Sequence, residues 1–156
     1  MPQRQYTESS SVAVSVSRVY AHFATPQRFI GFQPFVRAVN DVRWSDDPDG
    51  GRTVHYELVE AVPLFLGLRM TAISQVETHL PPQSYVLVQQ VKSALGVHLR
   101  AVVTLTAEGD NAAHIHETIT LHAPALLMGY VSRRAQDALI ARHKALRGGY
   151  LNTLDA

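Results

Sequence analysis

Residues 113–149 read AHIHETITLHAPALLMGYVSRRAQDALIARHKALRGG, and the change of period inside this stretch decides the fold. Up to residue 122, Ala113, Ile115, Ile119 and Leu121 alternate with His114, His116, Thr118 and Thr120, as in a strand with one buried face. From Pro124 to the Gly148-Gly149 stop the apolar spacing becomes three and four, which reads as one long helix. At about 100° per residue Leu127, Met128, Val131, Ala135, Ala138, Leu139, Arg142, Ala145 and Leu146 fall in one stripe. Arg133, Gln136, Asp137, Lys144 and Arg147 lie mostly behind it. A helix that packs tightly on a sheet normally shows it large aliphatic side chains, because buried area stabilises the contact. Ala135, Ala138 and Arg142 in mid-stripe instead predict a space left between helix and sheet. Gly129, in the first turns, marks a close approach by another chain or a ligand.

The strand that feeds this helix can be paired with the one before it. With Gly109-Asp110-Asn111 as a three-residue loop and Asn111 left-handed, Leu105 faces Ile115, Val103 faces Glu117, Ala101 faces Ile119 and Leu99 faces Leu121. The other face pairs Thr104 with His116, Arg100 with Thr120 and His98 with His122, so it is the solvent face. Glu117 is then the polar exception on the inward, apolar side.

Working towards the N-terminus, residues 36–45, 52–62, 66–77, 84–91 and 97–106 also alternate. Turn signals separate them, notably Asp46-Asp47-Pro48-Asp49-Gly50-Gly51 and Leu80-Pro81-Pro82. Strands this closely spaced are joined by hairpins, so the sheet is antiparallel. Residues 5–15 read as a first strand. A helix follows over 16–24, capped by Ser15 or Ser17, with Val16, Val19, Tyr20 and Phe23 at helical spacing. Thr25-Pro26 starts a second short helix, which Pro34 ends.

The chain's 156 residues suit one domain. Lys and Arg total 14 against 13 Asp and Glu, a net charge near +1 that gives no bulk electrostatic case for nucleic acid. The absence of cysteine excludes disulfides, thiolate chemistry and cysteine-rich zinc sites. No apolar run has signal-peptide or membrane-spanning character, so a soluble cytoplasmic protein without integral membrane association is expected.

The order strand, two short helices, six antiparallel strands and long C-terminal helix resembles the helix-grip fold of the START-related ligand-binding superfamily, also called SRPBCC. The stretch SVSRVYAHFATPQRFIGFQPFV, residues 15–36, is similar to that family's opening, through Val19-Tyr20, Thr25-Pro26, Phe29, Phe32, Pro34 and Val36. A tryptophan often found in the family's second helix is replaced here by Phe29 or Phe32, and none of its catalytic signatures is visible. The resemblance covers about residues 5–150. It implies an α+β helix-grip fold over residues 1–156 as a single START-like domain: a curved antiparallel sheet of about seven strands wrapped around a long C-terminal helix, with two short helices after strand 1. It also implies a cavity between sheet and helix.

Glu117 is the candidate catalytic residue. Its neighbours Ile115 and Ile119 exclude water, which raises a carboxyl pKa and suits it to act as acid, base or ligand anchor. A structural ion pair with Arg142 or Arg134 is the competing reading. The candidate ligand-binding residues are Phe32, Tyr56, Leu68, Met70, Tyr85, Leu99, Met128, Val131, Ala135 and Arg142, although the apolar ones serve equally as plain core. His114, His116, His98 and His122 stand on the open face among threonines, where three or four converging zinc ligands are lacking. No metal and no cofactor is therefore expected. Nor is there a His-Glu-x-x-His, Gly-x-Ser-x-Gly, phosphate-loop or Rossmann glycine pattern.

The expected function is to bind a hydrophobic or amphipathic small molecule, such as a lipid, quinone or polyketide-like aromatic, in the cavity between sheet and C-terminal helix. The alternatives are a cyclase or dehydratase that uses a buried carboxylate, and a protein-interaction module docking through a sheet face or edge.

Overall fold

In a computed structural model, which describes residues 2–64 and 66–154, seven strands form one antiparallel sheet in the order β1-β7-β6-β5-β4-β3-β2. The strands are β1 Gln3–Val12, β2 Val36–Asp46, β3 Arg52–Pro63, β4 Arg69–Leu80, β5 Val86–Ser93, β6 His98–Ala107 and β7 Ala113–His122. Between β1 and β2 lie helix α1, Val16–Ala24, and a 3-10 turn, Pro26–Phe29; after β7 come α2, Ala125–Arg147, and α3, Tyr150–Thr153. Ser15 caps α1, its Oγ accepting the Arg18 N–H at 3.4 Å, and Pro26 opens the 3-10 turn with its preset φ. Pro124 stands at the N-cap of α2 and Gly148 at its C-cap.

The β6–β7 register is the expected one: Leu105 pairs with Ile115, Val103 with Glu117, Ala101 with Ile119 and Leu99 with Leu121. The loop differs in detail. Gly109, not Asn111, takes the left-handed conformation, at φ 115°, and the Glu108 N–H closes the loop on the Ala112 carbonyl at 2.9 Å. Glycine carries no Cβ penalty there, so it supplies the positive φ ahead of asparagine. Strand β4 starts at Arg69 rather than at residue 66, because Leu66 and Gly67 both have positive φ and the Leu64 N–H reaches the Leu68 carbonyl at 2.8 Å. Gly129 is exposed, and a Cβ built on it would meet nothing within 4 Å, so the close approach expected there is not present among the described residues.

The concave face of the sheet is filled at one end. Val19 and Phe23 of α1, with Phe29 and Phe32 around the 3-10 turn, pack on Val54, Tyr56, Leu58, Val76, Leu87, Val103 and Ile115, all buried. Helix α2 lies over the β1 side, where its backbone contact with the sheet is concentrated. The wide apolar stripe predicted for it divides in two. Met128, Ser132, Ala135, Leu139, His143 and Leu146 form one row. Met128 packs with Leu121 and Ala123, Leu139 with Ala101 and Ile119, and Leu146 in the large cluster. Leu127, Val131, Arg134, Ala138, Arg142 and Ala145 form the neighbouring row at the same spacing.

One buried group works against this core. His22 is 1% exposed, ringed edge-on by Phe23, Phe32 and Tyr150, and neither ring nitrogen has a hydrogen-bond partner. Burial, with Arg28 nearby, pushes its pKa down from 6.5 to about 4. The unfolded chain therefore takes up this proton first, and stability falls as pH drops from 6.5 towards about 4. The loss amounts to at most about 3 kcal/mol. His22→Phe should flatten that dependence, which denaturant titrations of both proteins at neutral and mildly acidic pH would measure; an unchanged slope would show that His22 is not its source.

Candidate functional site

Glu117 is where β7, α2 and β1 meet. Strand parity turns it inward, and it is 3% exposed. Oε1 accepts from Arg142 Nη2 at 2.5 Å, and Oε2 lies 3.1 Å from His143 Nε2. The other ring nitrogen of His143, Nδ1, is 2.7 Å from Ser10 Oγ on β1. His143 is 0% exposed, Ser10 4% and Arg142 8%, so the row Ser10–His143–Glu117–Arg142 is a buried brace tying α2 to both strands.

This corrects the electrostatics expected for Glu117. Burial does push its pKa up, but the Arg142 guanidinium and the hydrogen bond from His143 outweigh burial and hold the carboxyl below its ordinary value. Of the two pairings anticipated, the one with Arg142 forms; Arg134 does not reach it. His143 was not anticipated. A helical projection places it beside Leu139 and Leu146, four and three residues away, and that position was the available signal.

Glu117 is not the only inward carboxyl. Glu60 shares the parity of Val54, Tyr56 and Leu58 on β3 and pairs with Ala72 on β4. Burial pushes its pKa up, and Arg142, close enough to be felt, offsets only part of that. Arg142 thus stands between an ionised, fully engaged carboxylate and a half-buried carboxyl that holds its proton more tightly than usual. The sequence signal for Glu60 was the same as for Glu117, a charged residue at an inward position of an alternating strand.

Around Glu60 the concave face is incompletely covered. Val62, Met70, Ala72, Val91, Ser93 and Leu99 have inward parity yet are only half-buried, as are Val131 and Arg134 on α2. Deeper in, the Tyr56 hydroxyl accepts from Gln89 Nε2 at 2.8 Å, and burial pushes its pKa up to about 12. Of the expected ligand-binding residues, Met70, Leu99, Val131 and Ala135 are half-buried and Arg142 acts on Glu60, whereas Tyr56 is 2% exposed in the core under α1. Met128 is 5% exposed and packs at its edge with Leu121 and Ala123.

Three residues lie elsewhere. Phe32 is in the aromatic cluster with His22, Phe23 and Tyr150. Tyr85 is 43% exposed with its ring against Tyr20, and Leu68 stands outside β4, 57% exposed. Periodicity does not reveal that α1 fills the end of the concavity where Phe32 and Tyr85 sit.

The four histidines of the outer face do not converge. His116 and His114 are bonded to Ser9 and Ser11 across β1, at 2.9 and 3.2 Å. Metal-ligating atoms do gather at Asp47, Asp49 and His79. There His79 Nδ1 is 2.8 Å from Asp47, and the Gly51 N–H donates to Asp49 at 2.8 Å, closing the β2–β3 turn against β4. A Cβ on Gly51 would meet the Leu80 carbonyl at 2.5 Å, which explains the glycine. Beside this turn a surface groove of about 440 Å³ runs between α1 and the hairpin tips, past Tyr20, Ala24, Trp44, Leu80 and Pro82. No buried polar groups converge on it, in contrast with the concave face under α2.

The brace makes a testable statement about stability. Glu117→Gln leaves Arg142 buried without its counter-charge, a change that typically costs about 3–5 kcal/mol. A folded pKa below the unfolded one means that the carboxylate's contribution is complete above the ordinary carboxylate range and is lost as pH falls through the folded value. Chemical denaturation should therefore show a large gap between parent and Glu117→Gln at neutral pH, narrowing in acid. The double variant with Arg142→Met should be more stable than the two single losses added together.

No protein-family model and no curated protein matches the sequence. Solved structures do match. The chain is similar to the Zhui aromatase/cyclase from Streptomyces sp. R1128, with a TM-score of 0.74 and 12% identity over 94% of this chain and 93% of that one. It is similar to a START superfamily protein from Mycobacterium smegmatis, with a TM-score of 0.72 and 12% identity over 96% and 98%. A norcoclaurine synthase point mutant from Thalictrum flavum, in complex with a transition-state analogue, gives a TM-score of 0.66 and 11% identity over 99% and 98%. Identities this low speak for architecture alone, and the seven-stranded antiparallel sheet with its long C-terminal helix is that of the START-like, SRPBCC helix-grip fold.

Proposed function

We propose that this protein binds a hydrophobic or amphipathic small molecule between the concave sheet and α2. The observation that carries this reading is the contrast along one face. Inward residues under α1 are buried, whereas inward residues beneath the second row of α2 remain half-buried around a few polar groups. Ligand sites combine apolar walls with a small number of placed polar groups in this way. Met70, Val91, Leu99 and Val131 supply the walls, and Tyr56, Glu60, Arg134 and Arg142 supply the polar groups. The fold shared with an aromatase/cyclase and a START superfamily protein supports the same reading.

A second reading, an enzyme of cyclase or dehydratase type, is favoured by the state of Glu60. A carboxyl with a raised pKa beside an arginine on an open face suits proton transfer. Glu117, whose two oxygens both hold protein partners, is the weaker candidate for that step. If a ligand released from the protein returns with altered mass after reincubation, Glu60→Gln should stop the change while leaving binding in place.

Ala138 gives the decisive substitution for the binding reading. It is 7% exposed, yet it belongs to none of the apolar clusters among the described residues, whereas Ala135 packs against Ile119 and Leu139. Ala138→Leu should exclude a co-purifying molecule in native mass spectrometry and change stability by less than about 1 kcal/mol. Ala135→Leu should instead overpack and cost about 1–3 kcal/mol. Retention of the same molecule by a folded Ala138→Leu variant would count against the concave site.

A further inference from the structure

The second row of α2 carries two arginines, and the structure treats them differently. The Arg142 charge is taken up by Glu117. Arg134, two turns earlier on the same row, forms no ion pair with a carboxylate among the described residues. Its Nε is buried without any hydrogen-bond partner. Removing a guanidinium N–H from water without an acceptor costs free energy, so such groups are normally satisfied. Here the group is also held in place. The Arg134 Cζ lies 5.3 Å from the centroid of the Tyr130 ring, and the Tyr130 hydroxyl donates to the Pro63 carbonyl at 2.6 Å, bridging α2 to the end of β3. The guanidinium is thus stacked on an anchored ring, next to the incompletely covered face, with donors to spare.

Glu60 does not supply the missing acceptor. It is the remaining inward carboxyl, and it is Arg142 whose charge acts on it. No carboxylate among the described residues pairs with Arg134, which leaves its half-buried charge available to an anionic group brought by the ligand. Building on the small-molecule reading above, we propose that the ligand is an organic anion with an apolar body, and that Arg134 receives its anionic head. Carboxylate, sulfonate and phosphate share the required chemistry, since planar N–H donors match the oxygens of each. The apolar body lies along Val131 and Leu99 towards Met70.

The test uses two fluorescent probes with the same aromatic body, 1-anilinonaphthalene-8-sulfonate and the uncharged N-phenyl-1-naphthylamine. The parent should bind the sulfonate roughly tenfold more tightly than the uncharged probe. Arg134→Met keeps much of the stem and removes the charge, so it should weaken the sulfonate by about tenfold or more while changing the uncharged probe by less than about threefold. Arg134→Lys, which restores a charge, should recover part of the loss, and Ala138→Leu should weaken both probes, locating them beneath α2. Circular dichroism of each variant confirms that it is folded, and Arg134→Lys keeps the comparison open should Arg134→Met not fold. Equal affinities for the two probes in the parent, or equal losses of both in Arg134→Met, overturn the anionic head but leave the small-molecule site standing. Failure of both probes to bind the parent, or indifference of both to Ala138→Leu, overturns the site and the anion together.

Discussion

A buried carboxylate fixes where the long helix can lie. Glu117 on β7 cannot be left unpaired in an apolar interior, because an isolated buried charge costs far more than a domain's net stability allows. Arg142 and His143, adjacent on α2, approach it from one side, and Ser10 of β1 closes the far nitrogen of His143. Satisfying all four groups holds α2 over the β1–β7 edge of the sheet. The helix's backbone contact with the sheet is concentrated on β1, and it reaches β3 through side chains, as where Tyr130 bonds the Pro63 carbonyl, so inward residues of β3 to β5 such as Glu60, Ala72 and Val91 stay half-buried.

The sequence of groups Ser10, His143 and Glu117 has the chemical order of a hydrolase triad, but its setting is that of a brace. A nucleophilic serine needs an open approach for a carbonyl and donors for the oxyanion. Ser10 Oγ is enclosed between β7 and α2, on a residue 4% exposed, and its partner histidine is fully buried. Hydrogen-bonded chains of this kind specify one docking of helix on sheet, since sliding α2 by one residue would strand several polar groups at once. Replacing the brace by apolar residues would remove that selectivity even where it preserved stability.

The sequence was most legible where one physical rule decided the outcome. Alternation in 97–106 and 113–122 was enough to pair β6 with β7 residue by residue, because a slip of one would have turned Ile115 and Ile119 to water. It was less legible where two rules competed, as at the β6–β7 loop, where glycine and asparagine could each supply the positive φ. Helix α2 shows a different limit. Projected alone, it has one broad stripe; only distant partners such as Ser10, 133 residues from His143 in the chain, separate the row bearing Leu139 and His143 from the row bearing Arg134 and Ala138. Arg134 took its role from that division, and for His143 the projection beside Leu139 and Leu146 indicated burial but not its partners Ser10 and Glu117. Phe32 and Tyr85 lie away from that face for a similar reason: the end of the concavity that α1 fills, where Phe32 packs and the Tyr85 ring meets Tyr20, is a tertiary fact.

Arg142 also explains why two inward glutamates on one sheet behave differently. Glu117 touches the guanidinium and holds its proton less tightly than a free carboxyl; Glu60, further away and partly desolvated, holds its proton more tightly. Coulomb attraction falls with distance while the desolvation penalty depends on local burial, so contact lets attraction win for Glu117 and separation lets desolvation win for Glu60. One arginine thus splits the pKa values of two like groups, an arrangement that elsewhere assigns acid and base roles to paired carboxyls. The difference follows from geometry: the ionised member holds the helix in place, and the member that holds its proton more tightly lies at a half-buried position of β3.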